Sequence, residues 1–192
     1  MVDPDTYNVV STIRIGGKIE KVVSDNAGKL LVNVEDKSEI EEVDIMKNIV
    51  LNRWPLAPGE GPTGLAIDTK TKRLFVACDK LLVVLDITNG KIVASVPTGD
   101  GCDGAAFDPG TKMIFTSNGA GTMTVIQEVS KDVYKLVENV VTKRGARTIT
   151  IDEKTHKLYL PTADYEPLAS DAPKNARPKM IPGSFQVLVL AK

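Results

Sequence analysis

One spacing constrains this chain more than any other feature. Four aspartates, Asp25, Asp68, Asp108 and Asp152, each close a short apolar run and open a turn; the runs read KVVSD, GLAID, GAAFD and TITID. The aspartates lie 43, 40 and 44 residues apart. Six residues after each one a second run starts, at Leu31, Leu74, Ile114 and Leu158. The stretches between are Asn26–Lys29, Thr69–Arg73, Pro109–Met113 and Glu153–Lys157, rich in residues that tolerate tight-turn backbone angles. Apolar runs this short, bounded by turn residues, read as strands of an antiparallel meander.

Third and fourth strands follow in the first three units: Ile40–Ile45 with Ile49–Leu56, Leu81–Ile87 with Ile92–Pro97, and Met123–Val129 with Tyr134–Thr142. A period of about 40–45 residues carrying four strands is the spacing of propeller blades. Helical repeats of similar period would place apolar residues three and four apart over ten or more positions, and no segment does so. The expected class is therefore all-β, a β-propeller of about four blades of four antiparallel strands, forming a partial or half ring. The last unit has only Leu158–Ala163 and Ser184–Leu190 after its first run. Between them, 164–183 is rich in Pro, Ala and charge and reads as a long, mobile loop at about 167–182. Tyr7–Ile15 has the look of a fourth strand without its first three. It would complete the last blade within one chain, or across two chains that swap strands into a larger ring.

The 24 basic and 25 acidic side chains nearly cancel, which removes the broad positive field that nucleic-acid binding needs. A local basic face remains on the hairpin turns, with Lys29, Lys70, Lys72, Arg73, Lys112, Lys154 and Lys157, but no aromatic residues stand among them to stack bases. Two cysteines, Cys78 and Cys102, give neither a disulfide framework nor a set of four metal-binding thiols, and the sequence leaves open whether they pair. The lone His156 sits among lysines in a turn and reads as a surface residue. The amino terminus carries neither a basic segment nor an apolar signal core, and no window approaches the length of a membrane helix; compartment is left open.

In a propeller, the connections leading into the innermost strands share one face with those joining second to third strands. Five residues before each aspartate lie Glu20, Thr63, Asp103 and Arg147. Ten and eleven residues after each lie Glu35 and Asp36, Cys78 and Asp79, Asn118 and Gly119, and Thr162 and Ala163. The rim is thus expected to gather Glu20, Glu35, Asp36, Asp79, Asp103, Asn118 and Arg147. Such groups suit a protein, a peptide or a small polar ligand. No cofactor motif is present; Ca²⁺, which takes oxygen ligands, is the ion this rim would suit. The alternative for each is a solvated rim, since loop Asp and Asn commonly bond their own backbone. Arg147 can clamp a carboxylate or phosphate or neutralise Asp103 or Glu20 across the channel.

The run KRLFVACDKLLVVLDITNGKIVASVPTGDGCDGAAFDPGTKMIFTSN resembles the repeat of the YVTN-type (YncE-like) β-propellers. That repeat reads roughly R-L-Y-V-T-N, a turn, V-x-V-I-D, T-x-K-V-V-x-x-I-P-x-G and a Gly-x-A-x-x-P run. The resemblance covers nearly the whole chain except about 167–182. Members usually have about seven blades and an export signal, so a chain of about four blades resembles the carboxy-terminal half of one. The resemblance implies a shared scaffold rather than a reaction. The function expected is a non-catalytic binding scaffold with its ligand or partner at the polar rim, and a homodimer would complete the ring. The alternatives are a fragment of a longer propeller protein, or a propeller enzyme. A metal-dependent lactonase-like hydrolase would draw on Glu20, Asp103 and Asn118, one ligand short of a set. A quinoprotein-like oxidoreductase would show repeated Trp docking motifs, where this chain has Trp54 alone.

Overall fold

The computed structural model describes residues 1–168, 173, 176 and 178–191. Each apolar run of the sequence becomes a strand, and each unit closes into its own antiparallel sheet. The first holds β1 (Ile19–Ser24), β2 (Lys29–Val34), β3 (Glu39–Asp44) and β4 (Ile49–Pro55). The second holds β5 (Gly64–Asp68), β6 (Arg73–Cys78), β7 (Leu81–Asp86) and β8 (Lys91–Pro97), and the third β9 (Cys102–Asp108), β10 (Met113–Asn118), β11 (Thr122–Ser130) and β12 (Val133–Val141). The fourth has β13 (Thr150–Asp152), β14 (Lys157–Thr162) and β15 (Gln186–Leu190) only. A 3-10 turn at Glu35–Lys37 is the one helical element among the described residues. The loop expected at about 167–182 lies in part outside the described residues; Tyr165, just before it, pairs with Met180.

Within every sheet the order is sequential, so each strand pairs with its chain neighbour. Register slips by one residue between third and fourth strands at Glu42/Val43, Val84/Leu85 and Val125/Ile126, the same place in three successive units. An extra residue there increases the right-handed twist of the outer edge. The hairpin after the first strand repeats too. Its closing residue takes a left-handed backbone at Gly28, Lys72, Lys112 and His156, and the last three lie four residues beyond the aspartate.

Because side chains alternate across a strand, every sheet has two apolar faces, and neither can be buried alone. Leu31, Ile40 and Trp54 of the first sheet pack on Leu74, Val76, Val83 and Leu85 of the second, with the Trp54 ring seated over Gly90. The second presents Phe75, Leu82 and Val84 to Phe107, Ile114 and Ile126 of the third. The third presents Ala106, Met123 and Val125 to Leu158, Leu160 and Ile149 beside the fourth. The first strands neighbour one another in order: β1 packs with β5, β5 with β9 and β9 with β13.

Charged pairs fasten these joints at the hairpin end. Asp68, 2% exposed, accepts from Lys112 of the next sheet at 2.8 Å, and Asp108, 1% exposed, meets His156 Nδ1 of the next at 2.8 Å. His156 is exposed, as the sequence suggested, and in addition links the two sheets through Asp108. Arg73, by contrast, leaves the basic face assigned to it. It is 2% exposed and reaches Asp132 in the β11–β12 hairpin of the third sheet.

The amino-terminal expectation is corrected. Tyr7–Ile15 does not pair with β15: Val2 bridges Val9 instead, the Val10 amide donates to the Met1 carbonyl, and the fourth sheet keeps three strands. At the other end of the sheet array, β1 is already reached through the short link 16–18. Tyr7–Ile15 is thus tethered beside the first sheet, away from the last.

Candidate ligand site at the mouth of the sheet array

The segments leading into the four first strands converge. Glu20, Thr63, Asp103, Arg147 and Thr148 line one cavity of about 330 Å³. They come from four separate units, held there because each lies at or just before the start of an inner strand. Thr63 is fixed by its hydroxyl, which donates to the Cys102 carbonyl at 3.2 Å, and by its amide, which donates to the Ala77 carbonyl. Two fixed hydrogen bonds leave it a wall of the cavity rather than a mobile group.

The charges at the mouth are arranged in two linked sets. Arg147 Nε lies 3.3 Å from Asp103 Oδ2, and the Arg147 side chain remains 65% exposed. Burial pushes the Asp103 carboxyl above its ordinary range; Arg147 opposes that rise, and the charges of Glu20 and Glu35 add to it. On the other side Lys18 Nζ contacts Glu20 at 2.8 Å and also bonds Glu35. The Lys18 hydrogen bond, then that with Glu35, and the more distant Arg147 charge, hold Glu20 below the usual carboxylate range. Glu20 raises the Lys18 ammonium first, and Glu35 next. Asp36 accepts from the Lys18 amide at 2.7 Å, so its carboxylate braces the segment ahead of β1.

Of the seven rim residues read from the sequence, Glu20, Asp103 and Arg147 share the cavity, and Glu35 joins them through Lys18. Asp79 stands apart on the exposed turn after β6, where its amide donates to the Glu60 carbonyl. Asn118 is corrected. It is fully buried, its amide donating to Thr122 and Thr124 hydroxyls at 3.0 Å each and its carbonyl accepting from Thr116. That side chain ties β10 to β11 and presents nothing to a ligand. Cys78 and Cys102 are both buried free thiols, Cys78 pushed up to about 12 by burial.

Lys18 was missed by sequence reading. The available signal was its position two residues before Glu20, the spacing that brings strand side chains to one side. Among the described residues no three His, Cys, Asp or Glu side chains come together as a cation site; between Glu20 and Glu35 stands the Lys18 ammonium. A broader cleft of about 1090 Å³ adjoins the cavity, with Lys143, Arg144, Asp164 and Tyr165 in its walls, and Arg147 belongs to both.

An aspartate kept above its ordinary range is a stability cost at neutral pH. Because the folded-state value lies above the unfolded one, the contribution of Asp103 declines as pH rises from the usual carboxylate range through the folded value. Asp103→Asn is therefore expected to stabilise the protein at pH 7 by about 0.5–2 kcal/mol, with the gain vanishing in acid. Urea melts across pH check this, and a loss of stability at pH 7 would show that the Arg147 pair outweighs burial.

Solved structures place the architecture. The chain aligns with Kuenenia stuttgartiensis hydrazine synthase at a TM-score of 0.66 and 16% identity, over 79% of this chain and 46% of that one. It aligns with the WD40 repeats of RRP9 at 0.63 and 15%, over 77% and 46%. The fold is a β-propeller. A functionally unknown protein from Desulfotomaculum acetoxidans gives 0.57 at 10% identity, over 84% and 68%. No family model matches the chain, and no curated protein sequence matches it. The sheets are thus propeller blades, and the chain spans about half the length of the first two structures it matches.

Proposed function

We propose that this propeller is a non-catalytic binding scaffold of the YVTN type. Its channel mouth takes a small polar ligand, or the end of a peptide, that carries both an anionic and a cationic group. One observation carries the reading: side chains from four blades converge on a single cavity of about 330 Å³, with a largely exposed Arg147 beside carboxylates. Arg147 offers a forked donor for a carboxylate. Asp103 and Glu20, which line the same cavity from other blades, offer acceptors for an ammonium group. Cavities of this size hold ligands of several heavy atoms, up to small metabolites. For the metal-dependent lactonase reading, no three His, Cys, Asp or Glu side chains converge among the described residues.

The test is a screen of amino acids, dicarboxylates and short peptides at millimolar concentration, read by amide chemical shifts. Shifts are expected at residues 18–20, 63, 103 and 147–148. Arg147→Ala is expected to weaken any such ligand about 10–100-fold, the cost of losing a charge-assisted hydrogen bond, while leaving the melting curve nearly unchanged because Arg147 is exposed. No shift with any of the three classes would overturn the reading.

A further inference from the structure

The joint between the first two blades is built differently from the two that follow. At the second and third joints a buried aspartate is met by the residue that closes the next hairpin, Asp68 by Lys112 and Asp108 by His156. The matching pair at the first joint is Asp25 and Lys72. Asp25 is 8% exposed, and Lys72 has the same left-handed backbone as Lys112 and His156. Yet Lys72 makes no ion pair among the described residues. Both side chains instead line a cavity of about 280 Å³, together with Lys29, Glu42, Ile87 and Thr88. These walls belong to blades one and two alone, and they lie at the hairpin end, opposite the channel mouth.

What fills the corresponding space at the second joint is a carboxylate. Lys29 opens β2 as Arg73 opens β6, and each stands opposite an aspartate of the third strand, Asp44 or Asp86. At the second joint β11 and β12 run for nine residues each and carry Asp132 back onto Arg73, which grips it through Nε and Nη2. The hairpin in that place at the first joint, β7–β8, has strands of six and seven residues. Its Thr88 lines the cavity, with amide and hydroxyl both donating to Asp86, so it brings no carboxylate to Lys29. Lys72 also lacks the acidic neighbour of Lys112. The residue whose amide donates to the Lys112 carbonyl is Glu128, and for Lys72 it is Ile87.

We infer that the cavity at the first joint takes a small oxyanion, a carboxylate or phosphate, in the place that Asp132 holds at the second. Lys72 is its principal partner, through the three donors of its ammonium group. Lys29 shares the anion: its Nζ bonds Glu42, which leaves further donors, and its side chain is 42% exposed. The two carboxylates of the cavity are already engaged. Glu42 accepts from Lys29 and the Asn52 amide, and Asp25 accepts from the Ala27 and Lys29 backbone amides through one oxygen. A further anion among them is no more crowded than Asp132 at the second joint, where Asp68, Asp86 and Glu128 also stand around Arg73 and Lys112. Bound there, the anion links blade one to blade two as the protein's own side chains link the other joints. The site is separate from the channel mouth and does not depend on what binds there.

The test titrates the full chain with inorganic phosphate and, separately, with succinate, and follows backbone amide shifts. Saturating shifts at millimolar concentration are expected at Ala27, Lys29, Lys72, Ile87 and Thr88, with slower hydrogen exchange of the Ile87 amide. Which of the two anions binds more tightly tells a phosphate site from a carboxylate site. Lys72→Met is expected to weaken binding about 10–100-fold, and Lys72→Arg to retain it. Lys70→Met, exposed on the same hairpin, should change nothing. No saturable shift at these residues with either anion would overturn the inference, as would an equal loss from Lys70→Met and Lys72→Met. Shifts confined to residues 18–20, 103 and 147–148 would place the anion at the channel mouth and overturn it too.

Discussion

Replacing Arg73 by methionine is expected to cost about 3–5 kcal/mol of folding free energy, the loss typical of a buried ion network deprived of one partner. The guanidinium opens β6, at the joint between the second and third blades, and is 2% exposed. Its Nη1 lies 2.9 Å from Asp86 and donates to the Thr71 and Lys72 carbonyls, while Nε and Nη2 grip the two oxygens of Asp132 at 2.5 and 3.0 Å. One side chain therefore closes its own hairpin and holds the outer hairpin of the next blade. Methionine keeps the stem's packing but strands two carboxylates and two carbonyls. The Arg73 hydrogen bond, above all, keeps Asp132 below its ordinary range; Asp86 is raised by burial but brought lower by Thr88 and Arg73. Both carboxylates contribute stability that is present above their unfolded values and is lost as pH falls through the folded ones. The deficit of Arg73→Met should accordingly narrow as the solution is acidified. Urea melts at neutral and acid pH measure both effects, and a deficit independent of pH would remove the carboxylates from the account.

Phe75→Ala should be comparably severe, about 3–5 kcal/mol, for a different reason. Phe75 lies in the middle of β6, fully buried, and fills the gap between the second and third blades. Its ring centre lies 5.0 Å from Phe107 in a tilted pair and 5.9 Å from Tyr134, edge to face. Truncation removes apolar burial, leaves a cavity between sheets that cannot move together, and breaks two aromatic contacts. Phe75→Leu, which retains most of the volume, should cost less than half as much. Both the Phe75 and Arg73 changes act on the same joint, so their double variant should fall short of the sum. A small domain has about 5–15 kcal/mol in all, and each single change is a large part of that. A loss below about 1 kcal/mol for Phe75→Ala would contradict the packing described.

The period of the aspartates made the blades legible because it is a backbone requirement: each hairpin must turn at the same place for strands to stack. Strand ends read from apolar runs fall within two residues of the observed ones, as Leu74–Cys78 does with β6. Trp54, at the end of an outer strand, lies over Gly90 of the next blade. Side-chain destinations were less legible. Asn118 closes β10, where threonines at 116, 122 and 124 draw its amide inward, while Asp79 lies one place further on, past the end of β6, and stays in water. Counting from the aspartate does not separate the last residue of a strand, whose side chain turns into the sheet, from the first residue of the turn. The burial of Arg73 and the partner of the exposed His156 were not legible, because Asp132 and Asp108 lie 59 and 48 residues away. Tyr7–Ile15 resembles an outer strand by pattern, yet it joins none of the sheets, and Val9 bridges Val2 instead.

The charged fasteners at the hairpin ends bear on how such an array can grow. Blades two and three each offer an aspartate forward, Asp68 and Asp108, and the residue that closes each following hairpin, Lys112 or His156, reaches back to it. Socket and plug are thus carried on one unit, four residues apart. Duplicating the segment that contains them would add a blade already equipped to join on both sides, with no compensating change elsewhere in the chain. Gly28 holds the plug position of the first blade without a side chain, and Asp152 of the fourth bonds within its own turn, to Lys154 and Thr155. Growth by copying is thus built into the middle of the array.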